Sequence, residues 1–232
     1  MFDQTAELYD TIYSFKNYKQ ETEQIKTIIH SSAPASKSIL DVGCGTSEHH
    51  KYLKAEYDID GIDLNRTFIK ISHEKNPNGN YVQADMRKFE LNKTYDLVMC
   101  LFSSIGYLRS VDEIVSALVC FKNHLNPGGL ILVEPWFTKE SWTNGKTHMI
   151  TTEKDGVKIC RMNRSASEGD FSIVHFHYLV GSDDQDVKHL EERHELRMTS
   201  NVEMISAFER AGLKVHFEEK GLIGRGMYHA KN

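Results

Sequence analysis

The chain has 232 residues, 40% hydrophobic and 26% charged, with a formal net charge of -5. That length buries one sizeable core, and no apolar run in it reaches the length of a membrane-spanning helix. The acid excess excludes a general polyanion binder, because backbone-directed nucleic-acid binding needs a basic surface. It leaves room for one local basic pocket.

In chain order, residues 5–15 carry Leu8, Tyr9, Ile12, Tyr13 and Phe15 at helical spacing. This predicts either a docked amphipathic helix or a lid whose tyrosines and Lys16 face a ligand. The first residues, Met1-Phe2-Asp3-Gln4-Thr5, lack the basic-then-apolar pattern of a secretion signal, so a cytoplasmic protein is expected. A second helix is predicted over 19–30, ending near Ser31-Ser32-Ala33-Pro34.

The run Ser38-Ile39-Leu40-Asp41-Val42-Gly43-Cys44-Gly45-Thr46-Ser47 organises the rest of the chain. It reads as a buried strand feeding a glycine turn and then a helix, capped by Thr46 or Ser47 and running to Leu53. Glu48 stands where a dinucleotide fingerprint wants glycine or alanine, and a carboxylate there repels a pyrophosphate. S-adenosyl-L-methionine, which carries no phosphate, fits better. Its amino acid part lies along Gly43, Cys44 and Gly45, and its ribose on an acid ending the next strand. Asp63, followed by Leu64, stands about 20 residues on, as that geometry requires.

Asn65 is the predicted cap of the next helix, and Asn76-Pro77-Asn78-Gly79 a turn. A third strand at 81–86 ends in Asp85 and Met86, an acid and a soft apolar residue suited to an adenine amine and ring. Residues 95–102 read as the central strand, and 130–136 as a fifth strand after a helix over 111–124. Beyond Phe137 the pattern changes to four β-rich segments joined by turns, an antiparallel meander. It is expected to cover the crevice, to contact a second subunit as a homodimer, or both. The tail returns to helix and strands. The fold class is therefore α/β, with an S-adenosylmethionine-binding core over 1–137 and 200–232 and a β insertion over 138–199.

Cys44, Cys100, Cys120 and Cys160 have no metal-ligand spacing, and neither do the histidines, so no metal is expected. Tyr107, Glu134 and His175 are candidates to orient an acceptor or remove its proton; each has a structural alternative as a packing ring, a strand-end acid or a sheet residue.

Leu8-Tyr9-Asp10, Asp41-Val42-Gly43-Cys44-Gly45-Thr46, Gln83-Ala84-Asp85-Met86-Arg87, Phe102-Ser103-Ser104-Ile105-Gly106-Tyr107 and Val133-Glu134-Pro135-Trp136 resemble a class I S-adenosylmethionine-dependent methyltransferase with a doubly wound, mostly parallel, seven-stranded Rossmann-like sheet. Within that fold the chain is similar to the dTDP-3-amino-3,6-dideoxyhexose N,N-dimethyltransferases. The resemblance implies cofactor contacts from Tyr9, Gly43, Asp63, Asp85, Met86 and Leu101. It implies substrate contacts from Lys16, Tyr107, Glu134, Trp136, Arg161 and Arg225, with a small-molecule substrate, no nucleic acid and no membrane. Ser47 replaces the glycine that relatives usually carry after Thr46, and Lys16-Asn17-Tyr18 replaces their glycine and basic stretch.

Overall fold

The computed structural model describes residue 2 and residues 4–231. Met1 and Asp3, on which part of the leader reading rests, lie outside the described residues. The chain opens with a 3₁₀ turn at Ala6–Leu8, one turn of helix α1 (Tyr9–Ile12) and helix α2 (Tyr18–Ser32). The expected single helix over 5–15 is thus broken. It ends at Tyr13, after which Ser14 N and Lys16 N turn back to Thr11 O and Tyr13 O at 3.3 and 3.0 Å, and Asn17, whose side chain accepts from Gln20 N at 3.0 Å, starts α2 afresh.

The core then runs β1 (Ser38–Val42), α3 (His50–Leu53), β2 (Asp58–Asp63), α4 (Arg66–Lys75), β3 (Tyr81–Gln83), β4 (Tyr95–Cys100), α5 (Val111–Asn123) and β5 (Leu125–Val133). Asn65 caps α4 as predicted, accepting from Thr67 N and Phe68 N. The helix after the glycine turn is corrected: α3 is one turn long and has no side-chain cap. Thr46 Oγ1 instead donates to Asp10 at 2.5 Å, and Ser47 Oγ bonds Ser72 Oγ at 2.8 Å. Strand β5 starts five residues earlier than expected. Gly128, at φ +77°, and a register shift against β4 let the Asn126-Pro127-Gly128-Gly129 stretch enter the sheet as an irregularity.

The insertion forms β6 (Thr147–Lys154), β7 (Val157–Glu168), β8 (Phe171–Ser182) and β9 (Gln185–Arg197), an antiparallel sheet in sequential order. Helix α6 (Asn201–Arg210), β10 (Lys214–Glu218) and β11 (Met227–Lys231) complete the core. The main sheet has the order β10-β11-β5-β4-β1-β2-β3, and only β11 runs against its neighbours. Strand order reverses between β1 and β4. A crevice opens there outside the carboxyl ends of the strands, the usual ligand position of such sheets. Leu40, Val42, Val98, Ile131 and Phe121 pack one face of the sheet, while Ile39, Leu97, Met99 and Leu132 pack the other. Among the described residues, no helix is long and apolar enough to cross a membrane.

Candidate active site

A cavity of about 450 Å³ occupies the crevice. Its floor is the glycine turn. Gly43 and Gly45 have φ of +73° and +55°, and a Cβ on Gly43 would lie 2.8 Å from Ser104 Cβ. Backbone is therefore bare where a ligand must approach closely. Ser47 takes φ +59°, the left-handed conformation that glycine adopts without strain. Its hydrogen bond to Ser72, which itself donates to Gly45 O at 3.0 Å, holds the turn in that conformation. The substitution in the motif thus keeps the turn's shape.

Asp63 closes one side. It accepts from Gly45 N at 2.9 Å and Asn65 N at 2.8 Å, and burial pushes its carboxyl up in spite of those bonds. Leu64 lies next to it, an exposed leucine on the cavity edge, with Met86 and Asp85 along the same wall. Asp85 is engaged by Arg87, whose Nε and Nη2 reach it at 3.0 and 2.6 Å, and that fork holds its carboxyl down. Sequence reasoning passed over Asp41 as a site residue. It lines the cavity and is buried, with its Oδ2 2.9 Å from His50 Nε2, while His50 Nδ1 lies 2.8 Å from Tyr81 OH. A carboxylate ending a buried strand just before a glycine turn was the available signal.

The N-terminal segment and the inserted sheet supply the roof. Phe2, Tyr9, Tyr13 and Tyr18 line it from one side, and Val174, Phe176, His194 and Leu196 from the other. Burial pushes the Tyr9, Tyr13 and Tyr107 phenols up, so they are neutral. The segment is tied down at several points: Asp10 to Thr46 and Lys75, Glu21 to His49 at 2.9 Å and to Lys16, and Thr152 Oγ1 to Thr11 O at 3.0 Å.

Of the residues singled out from sequence, Tyr9, Gly43, Cys44, Gly45, Asp63, Leu64, Asp85, Met86, Leu101, Tyr107, Trp136 and Arg225 all line this one cavity. Trp136 is fixed by Nε1 donating to Ser172 Oγ at 2.7 Å. Glu134 is buried behind it. Its Oε2 accepts from Phe102 N at 2.7 Å, and burial pushes its carboxyl up. That bond holds Phe102 and Ser103 in the left-handed region, at φ +49° and +63°, so Glu134 shapes the wall from outside it. Lys16 lies between the Tyr18 and Phe102 rings, paired with Glu21. Arg161 sits over the Tyr13 and Phe176 rings.

His175 is a correction. Successive strand residues face opposite ways, and since Val174 and Phe176 line the cavity, His175 faces outward. There it is exposed, with Nε2 2.9 Å from Glu191 Oε2, and it has no part in the cavity.

The site suits the cofactor inferred from sequence: bare backbone at the turn, a carboxylate for a ribose and an apolar wall for a ring. The fold and this site define a class I S-adenosylmethionine-dependent methyltransferase. A methyltransferase-domain family matches residues 39–129. The crystal structure of Streptomyces venezuelae DesVI superposes with a TM-score of 0.93 at 32% identity, covering 97% of each chain. S-adenosylmethionine-bound CalS10 of Micromonospora echinaspora, an amino pentose methyltransferase, gives 0.87 at 28%, covering 96% of this chain and 95% of that one. In sequence, the dTDP-3-amino-3,6-dideoxy-alpha-D-glucopyranose N,N-dimethyltransferase of Streptomyces fradiae is 34% identical over 96% of this chain and 89% of its own length. The chain belongs to the family of dTDP-amino-sugar N,N-dimethyltransferases.

Proposed function

We propose that the protein methylates the amino group of a sugar carried on a nucleoside diphosphate, as the names of its relatives describe for them. The observation that carries this is a pair of half-buried arginines whose buried guanidinium donors are idle. Arg161 Nε and Nη1 and Arg225 Nε are buried without a hydrogen-bond partner, and Arg225 stays 3.8 Å from Glu134 Oε1. Buried guanidinium N–H groups left unpaired are costly, and two forks beside one cavity match the oxygens of a diphosphate.

In this reading Gly43, Cys44, Gly45 and Asp41 hold the amino acid end of the cofactor, Asp63 its ribose, and Leu64, Asp85 and Met86 its adenine. When bound, the cofactor supplies a methyl group on a sulfonium. The protein's part is to hold the acceptor nitrogen in line with that methyl and to exclude water, and orientation of this kind is worth roughly 7–11 kcal/mol. Tyr9, Tyr13 and Trp136 wall the methyl position with aromatic faces, Tyr107 offers its hydroxyl oxygen to the acceptor, and Arg161 and Arg225 fix the diphosphate. Lys16 stabilises the wall through Glu21 and leaves the phosphate to the arginines.

The test compares a TDP-linked amino sugar with the same sugar lacking the nucleotide, with wild type and with Arg225→Ala. Turnover of the nucleotide-linked sugar should exceed that of the free sugar, and Arg225→Ala should raise its KM by about 10- to 100-fold, the loss of one charge-assisted contact. Equal turnover of both acceptors and an unchanged KM would remove the nucleotide from the site.

A further inference from the structure

Tyr107 on the cavity wall leads into a buried chain of polar groups that the cofactor and phosphate contacts leave unused. Its hydroxyl is 2.8 Å from His194 Nδ1, and His194 Nε2 is 3.4 Å from Glu192 Oε2. Glu192 in turn accepts from Thr5 Oγ1 at 2.8 Å and from the Thr5 and Gln4 backbone N–H groups at 3.2 Å each. His194 is 2% exposed and is packed by the Phe2 and Phe176 rings, at 4.6 and 5.3 Å.

With a neutral His194 imidazole, one arrangement of hydrogens satisfies every member. Burial pushes the Glu192 carboxyl up, but the bonds from His194, Thr5 and Gln4 outweigh it and hold it below 4.5, so it only accepts. His194 must then carry its hydrogen on Nε2, and the neutral Tyr107 phenol donates to Nδ1. Both remaining lone pairs of the Tyr107 oxygen are left to face a donor in the cavity.

Resting on the function proposed above, we infer that Tyr107, His194 and Glu192 form a relay that takes the proton from the acceptor ammonium. Like other aliphatic amines, the acceptor is protonated near neutral pH and then has no lone pair for attack. Its N–H bond breaks as a new O–H bond forms on Tyr107. The old O–H bond breaks as Nδ1–H forms on His194, leaving a neutral amine and an imidazolium beside the Glu192 carboxylate. The imidazolium returns its proton to water when product leaves. His194 acts through Tyr107, and Glu192 positions His194. Because Glu192 also holds Thr5, the relay is in order only when the N-terminal segment is seated.

The other ionisable groups around the relay are Tyr178 from β8, Arg161 from β7, Tyr13 and Tyr9 from the N-terminal segment and Asp63 from β2. Of these, Tyr9, Tyr13 and Tyr178 are neutral phenols, all pushed up by burial.

The experiment follows kcat from about pH 6 to about pH 9.5 for wild type, Tyr107→Phe, His194→Asn and Glu192→Gln. At neutral pH kcat should fall about 100-fold in Tyr107→Phe and His194→Asn, within the range of general-base effects, with the acceptor KM little changed in His194→Asn, which leaves the Tyr107 contact in place. The deficit should close at high pH, where solvent deprotonates the amine. A merely structural residue would depress kcat equally at every pH, and that outcome, or an unchanged kcat at neutral pH, overturns the relay. A second measurement needs no substrate: long-range 1H–15N spectra of full-length, 15N-histidine-labelled protein should show His194 with Nε2–H and an unprotonated Nδ1. The opposite tautomer overturns the relay even if no acceptor has been found, whereas failure of the wild type to methylate any amino sugar overturns the function and leaves this result standing.

Discussion

At the scale of single residues, Gly43 and Asp63 bear the most weight. Gly43→Ala faces two separate obstacles, a left-handed φ of +73° and a Cβ 2.8 Å from Ser104 Cβ and Oγ. The first costs about 1–3 kcal/mol for a residue with a side chain, and the second forces Ser104 to move. We expect a loss of about 2–4 kcal/mol in thermal melts. Ser104→Gly in the same chain should recover the steric part and leave the backbone part, and complete recovery would show that the turn is not strained. Asp63 presents a carboxylate whose inner lone pairs are already taken by Gly45 N and Asn65 N. Hydrogen bonds to a charged group are worth about 1.5–3 kcal/mol, so Asp63→Asn should weaken S-adenosylmethionine about 10- to 100-fold in calorimetric titration. An unchanged Kd would move the ribose elsewhere.

At the scale of elements, the N-terminal segment is held by carboxylates and should loosen in acid. Burial pushes Glu21 up, but its bonds from His49 and Lys16 outweigh this and hold it below its ordinary 4.5, and the same balance of burial against His194, Thr5 and Gln4 lowers Glu192. A carboxyl depressed in the folded state contributes stability that is present above its unfolded value and lost as pH falls through the folded one. Stability should therefore decline below about pH 4.5. In Glu21→Gln the acid limb should be shallower and the stability at neutral pH lower by ~3 kcal/mol, since Lys16 is left buried without its partner. Melting curves across that range check both. The same segment shows what sequence could not reveal. Of the apolar positions Leu8, Tyr9, Ile12, Tyr13 and Phe15, the spacing correctly marks Tyr9, Ile12 and Tyr13 as buried, but Phe15 is 65% exposed because the chain turns at Ser14 and Lys16, which bond back to Thr11 O and Tyr13 O, a break that pattern alone does not announce. The strands and the glycine turn were legible because each is a local pattern: apolar runs, alternate glycines and an acid at fixed spacing. His175 was misplaced, and Glu192 was not singled out, because strand alternation gives two faces without saying which is covered. Only the packing of β8 and β9 over the crevice decides that Val174, Phe176 and His194 face in and His175 faces out.

At the scale of the whole molecule, the cavity is assembled from residues as far apart in the chain as Phe2 and Arg225, with Gly43 and Trp136 between them. No shorter piece of the chain presents both ends of the site, so a ligand at either end binds the native state and not the unfolded chain. Such a ligand at about 100 times its Kd adds ~2.7 kcal/mol, which for a chain of this size raises Tm by roughly 5–10 °C. The two ends should respond independently, because the Asp63 wall and the Arg161–Arg225 pair share no hydrogen bond. S-adenosylmethionine should raise the Tm of wild type and of Arg225→Ala but raise that of Asp63→Asn far less at the same concentration. With dTDP the order should reverse, raising wild type and Asp63→Asn and leaving Arg225→Ala nearly unmoved. If dTDP leaves the wild type unmoved, the idle guanidinium donors do not serve a diphosphate. If instead Arg225→Ala abolishes both shifts, the arginine is holding the fold together and cannot be read as a ligand contact.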